Sequence, residues 1–374
     1  MTTTLNSNNR NGSIDLFRII SMLMVIVLHV LGHGGVLWSL KAKSAGWFTY
    51  FGLETVCLIA VNCFALTTGF LYVGKKIKIK NLINLYFQVL FFSLIIAIIF
   101  FITGKRDFST KTLLEYALPI LSGRYWYFSA YFILFLIMPM LNLILEHLSK
   151  RSTYVFLIVA TILIGAYAFF GTMYFKKDTF VFENGYSFIW LAVLYLFGGA
   201  IKKYEIYKKL RRRWWILAYI ASNLLWFGCG FLLSYVNNFK TYPYVTGYNF
   251  VFNILSSCLL LIIFASIQIK HNKILAFFAK CSFGVYLFHE HVFMRQTFIT
   301  DKFSFIKNYN ILVGVLAVCL IAVSIYLIGS VVDFIRQMIF KLLRIGKFSE
   351  LIDNKLSAFC EKRFKDKEEV NVID

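Results

Sequence analysis

Apolar runs of about 18 to 25 residues recur from one end of this chain to the other, each the length a membrane crossing needs. Inside hydrocarbon every backbone N–H and C=O must be paired within the protein, so only helices and closed barrels can span it. A barrel would show alternating segments of about 10 residues. These runs are continuous, and the chain has only 3 prolines in 374 residues. The expected fold is all-α: a polytopic integral membrane protein with about ten transmembrane helices. The spans fall near 14–37, 47–73, 82–103, 124–147, 153–172, 185–201, 214–236, 249–269, 283–299 and 310–335. The stretch 107–123 is a weaker run, expected to be interfacial or re-entrant.

Charge sets the orientation. Only 15% of residues are charged, yet the net charge is +21. Basic residues hold loops on the cytoplasmic face. With the N-terminus inside, the inner segments collect Arg10 and Arg18, the lysines at 75, 76, 78 and 80, the 202–213 cluster and the tail beyond Arg336. Both termini are therefore expected in the cytoplasm, and the positive balance reads as topology rather than nucleic-acid binding. Residues 1–345 form one membrane domain and 346–374 a charged cytoplasmic tail, solvated or at the membrane surface. No cleavable signal peptide is expected, because the first apolar run is too long and contains Arg18 and His29. The 7 cysteines form no C-x-x-C pair and read as small buried hydrophobes.

Ionisable groups within a bilayer are costly and mark function by default. Arg18 and His29 are eleven residues apart, three helical turns plus about 20°, so they share one face of the first helix about 16 Å apart. A guanidinium at the inner mouth suits the phosphates of a cytosolic donor. An imidazole deeper in a polar channel suits a general base toward a hydroxyl. Glu54 enters the second span from the outside to a depth near that of His29, where a carboxylate could orient the imidazole. Tyr125, Trp126 and Tyr127 suit either an aromatic belt or sugar stacking. Glu290 and Arg295 form at best a loose pair. His289 is expected about 9 Å into the ninth span, with Tyr286 one turn below. No spaced His, Asp or Glu set suggests a metal.

Four stretches in order resemble the membrane acyltransferase family 3. They are Ile14-Asp15-Leu16-Phe17-Arg18 with His29, the run Cys63 to Leu71 containing Thr68-Gly69-Phe70, Arg124-Tyr125-Trp126-Tyr127-Phe128 running to Pro139, and Ser282 to His289. The resemblance implies a ten-helix enzyme in a cell membrane, bacterial in type, that moves an acetyl group from acetyl-CoA to a hydroxyl of a surface glycan such as exopolysaccharide or capsule. It implies Arg18 and His29 as the essential pair, His29 acting as base or brief acyl carrier. Arg124, Trp126, Tyr127, Tyr286 and His289 become candidates on the acceptor side. Where the family often has arginines after the second helix, this chain has lysines, of which Lys78 and Lys80 are the candidates for CoA phosphates. The hydrolase-like domain of some relatives is not seen, so this chain completes the transfer itself or hands the acyl group on. The rival reading is an exporter or flippase for a polysaccharide or lipid-linked sugar, which needs buried charges but no general base.

Overall fold

A computed structural model describes residues 11–175, 183–236 and 246–368. Among these residues the chain is helical throughout, with no strand. The main helices are α1 (Gly12–Leu31), α2 (Ala45–Cys57), α3 (Ala60–Tyr72), α4 (Ile79–Ile102), α5 (Thr110–Ala117), α6 (Trp126–His147) and α7 (Lys150–Ala160). They continue with α8 (Ala168–Phe175), α9 (Phe188–Lys203), α10 (Arg212–Val236), α11 (Val251–Ala265), α12 (Lys273–Glu290), α13 (Val292–Phe298), α14 (Ile311–Leu342) and α15 (Ile345–Glu368). Helices occur at all ten expected spans. Among the described residues, five segments are long and apolar enough to cross a membrane: α1, the α2–α3 pair, α4, α6 and α14.

Local chemistry sets the helix ends. The side chain of Asn11 accepts from the Ser13 N–H to cap α1. The Gly12 N–H bonds the Ile269 carbonyl at 3.2 Å, tying the start of α1 to the chain just after α11. Ser44, Asn272 and Asn310 cap α2, α12 and α14 in the same way. Pro139 stays inside α6, and the stretch Thr161–Tyr167 between α7 and α8 widens into a π-helix.

The centre is built on a close approach of α3 to α9. A Cβ on Gly69 would collide with the Tyr195 carbonyl, and one on Gly198 with the Leu66 carbonyl. Lipid provides no hydrophobic drive between helices, so small residues that let backbones touch take over that role. Ser, Thr and Asn side chains add bonds across or within helices, such as the Trp190 indole N–H to Asn62 Oδ1 at 3.0 Å.

The helix that carries the ninth expected span, α12, starts ten residues before that span, at Lys273, and carries Lys280 within it. A lysine's long apolar stem permits this. The charged tail is helical from Ile345 to Glu368. Its first turns dock on α4, through Lys80 Nζ to Glu350 Oε1 at 3.1 Å, Ser349 Oγ to Asn84 Oδ1 at 2.9 Å, and the rings of Phe87 and Phe348.

Candidate active site

Arg18, Met22, Val25 and His29 recur at i, i+4, i+7 and i+11 on α1, and all four line one cavity of about 320 Å³. The expected shared face of Arg18 and His29 is thus what opens onto this space. α3 supplies Phe64, Thr68 and Tyr72, α6 supplies Trp126, Tyr127 and Tyr131, and α12 supplies Phe283, Tyr286 and Glu290. The α3 and α12 sets follow the same three-to-four-residue spacing, as do Tyr127 and Tyr131 on α6, so the cavity is a channel between helix faces.

At the Arg18 end stand Tyr72 and Tyr131, within electrostatic reach of the guanidinium. Nearby, Lys75 is pushed below the usual ammonium range by partial burial and by the neighbouring Lys202. Of the lysines singled out from the sequence, Lys80 pairs with Glu350, and neither it nor Lys78 is among the residues lining the cavity. Lys78 occupies the position before α4 and is exposed.

The other end is built around His29. Its Nδ1 lies 3.0 Å from His289 Nε2 and 3.2 Å from Glu290 Oε2. His289 Nδ1 lies 2.6 Å from the Val285 carbonyl. A carbonyl can only accept, so His289 carries its proton on Nδ1 and its Nε2 is the acceptor. That nitrogen must then receive the Nδ1 proton of neutral His29. By elimination, His29 Nε2 bears the free lone pair. The chain Val285–His289–His29 therefore sets the tautomer a general base requires, and Glu290 stands where it can stabilise the imidazolium. Glu290 Oε1 pairs with Arg295, while its Oε2 is buried and accepts no hydrogen bond among the described residues.

The sequence-based assignments divide accordingly. Arg18, His29, Trp126, Tyr127 and Tyr286 meet in one cavity. His289 supports His29 from behind. It is the next-to-last residue of α12, which ends at Glu290. Glu54, on α2, is not among the cavity's lining residues, and the carboxylate beside His29 is Glu290. Depth matching cannot choose between two carboxylates, since it leaves the helix face undetermined. Arg124 sits in an adjoining cleft, paired with Glu115. The sequence offered Glu290 only as a loose partner of Arg295, a pair that does form; its place beside His29 was not read, although an acid directly after His289 in an apolar run is the kind of signal that marks function. The fold also gathers a three-donor set that spacing did not reveal. Donor atoms of His29, His33 and Glu290 lie within 4.8 Å of one another. His291 plays a structural part. Its Nδ1 accepts from the Phe293 N–H to start α13, and its ring stacks on Tyr116 at 4.6 Å.

The model of the acyltransferase family 3, described as an acyltransferase domain, matches residues 11–330, and the chain belongs to that family. It is a multi-pass membrane acyltransferase. Among curated proteins and among solved structures, nothing matches.

Proposed function

We propose that the protein transfers an acetyl group from acetyl-CoA to a hydroxyl of a cell-surface glycan, exopolysaccharide or capsule in type, across the cavity that joins Arg18 to His29. The observation that carries this reading is the single channel with a cation at one end and a tautomer-fixed imidazole at the other. The basic segments around the Arg18 end support placing it, and both termini, on the cytoplasmic side. The CoA phosphates meet Arg18, with Lys75 and Lys202 beside them, and the acyl thioester extends toward His29.

In this mechanism His29 Nε2 takes the proton of the acceptor hydroxyl as its oxygen bonds to the thioester carbonyl carbon. The carbon–sulfur bond then breaks, and the leaving CoA thiolate recovers the proton from the imidazolium. Glu290 stabilises that cation at 3.2 Å, the role that the depth argument had offered to Glu54. Trp126 and Tyr127 offer stacking faces for the sugar.

The test is NMR of surface polysaccharide from cells with the wild-type gene, with His29→Ala, and with no gene. O-acetyl signals present only with wild type, on an unchanged glycan backbone, are expected. Equal acetylation in all three, with less glycan outside cells lacking the gene, would overturn the reading in favour of export.

A further inference from the structure

Beyond the Arg18–His29 channel lies a second cleft of about 480 Å³, lined by Glu115, Arg124, Trp126, Glu290 and Arg295 among others. Glu290 and Trp126 line both spaces, so they form the wall between the cleft and the base. The cleft is also rich in guanidinium. Arg124 pairs with Glu115 and lies 4.9 Å over the Tyr116 ring. Arg295 pairs with Glu290. Arg106 is the third guanidinium within electrostatic reach of Tyr116, and its partner is the neutral Gln296 amide at 2.8 Å. Arg124 and Arg295 line the cleft with Glu115 and Glu290, and Arg106, just outside that lining, makes three guanidinium groups to two carboxylates around it. Behind the lining, the Tyr116 hydroxyl is buried with no hydrogen-bond partner among the described residues. Aromatic floors, forked donors and surplus positive charge are what a planar or tetrahedral oxyanion needs.

We propose that this cleft is the acceptor's entry port and that it recognises an oxyanion on the glycan, a sugar carboxylate or a backbone phosphate, through Arg124 and Arg295. The charged group is held in the cleft while a neighbouring hydroxyl passes Trp126 and Glu290 to reach His29. The inference rests on the acyl-transfer reading for its purpose, but the binding it asserts can be judged alone.

The experiment measures binding to the full-length protein in lipid nanodiscs. The probes are an oligogalacturonide, the same oligosaccharide after carboxyl reduction, and a glycerol-phosphate oligomer. At least one anionic probe is expected to bind about tenfold or more tighter than the neutral one, with the preference falling as salt rises. The anionic probe that wins distinguishes carboxylate from phosphate. Arg295→Gln and Arg124→Gln should each erase most of the preference while leaving neutral-probe binding unchanged. Equal binding of all three probes to wild type overturns the proposal, as does a preference that survives both substitutions. The wild-type comparison needs no variant and stands if one fails to fold. Acetyl-CoA turnover is followed in the same samples. No turnover with or without acceptor would sink acyl transfer, and the binding result would still decide the port.

Discussion

Two buried carboxylates in this protein are treated in opposite ways. Asp333, on α14, is fully buried, and both of its oxygens are occupied. Gln88 donates to Oδ1 at 3.0 Å, Arg336 to Oδ1 at 2.8 Å and Oδ2 at 3.1 Å, and Gln337 to Oδ2 at 2.7 Å. Glu290, at the end of α12, has Arg295 on one oxygen and leaves the other without a hydrogen bond, 3.2 Å from His29 Nδ1. A buried charge with every lone pair filled rigidifies its neighbourhood, whereas one left partly open keeps a free energy that chemistry can draw on. The closed network locks α4, α12 and α14 together. The open one faces the cavity. Asp333 and Arg336 also lie beyond the family match, which ends at residue 330, while Glu290 lies within it.

The contrast can be broken or sharpened by substitution. The largest expected effect is His29→Ala, which should lower acetyl transfer by about 1,000-fold, the scale of a lost general base. Thermal unfolding in detergent should barely move. Glu290→Gln should lower kcat by about 100-fold while the midpoint of unfolding stays near wild type. If that variant unfolds instead, Glu290 belongs with Asp333 as a structural charge and the comparison fails. Asp333→Ala leaves Arg336 buried without its carboxylate and should destabilise by about 3 kcal/mol or more, read as a fall in the unfolding midpoint. Activity per folded molecule should be largely kept.

A smaller loss, about 1 to 3 kcal/mol, is expected for Gly284→Ala, whose new methyl would collide with the Asp333 carboxylate. Smallest is Glu350→Gln. Lys80 holds the Glu350 carboxyl below its usual range, so the docking of α15 is strengthened above the ordinary carboxylate pKa and weakens as pH falls through the lowered one. Limited proteolysis after Leu342 should therefore increase at low pH in wild type. It should lose that pH dependence in the variant. An unchanged pH profile would remove Lys80–Glu350 from the account.

Legibility followed the range of the physics involved. Arg18 and His29 could be placed on one face because both lie on α1, where helical repeat alone fixes their relation. Trp126, Tyr127 and Tyr286 were readable as aromatic candidates, and all three reach the cavity. The partner of His29 was not readable. Glu54 was the acid whose depth matched, while Glu290 was read only as a loose partner of Arg295, and its place depended on the break at His291, which ends α12 so that Glu290 and His289 both reach the same nitrogen. Lys80 was readable as a charge, but its docking onto a carboxylate 270 residues away was not.

Helical class, the positions of the apolar spans and the Arg18–His29 stripe were all decided locally, since hydrocarbon forces backbone hydrogen bonds to close within each segment and side-chain direction then follows the residue count. Which oxygen meets which nitrogen was decided only by tertiary packing. Contacts such as Gly69 on Tyr195 and Gly284 on Asp333 set the rotation and spacing of each helix. An error of one residue in rotation swings a side chain by about 100°, and no local rule carries that information between segments hundreds of residues apart.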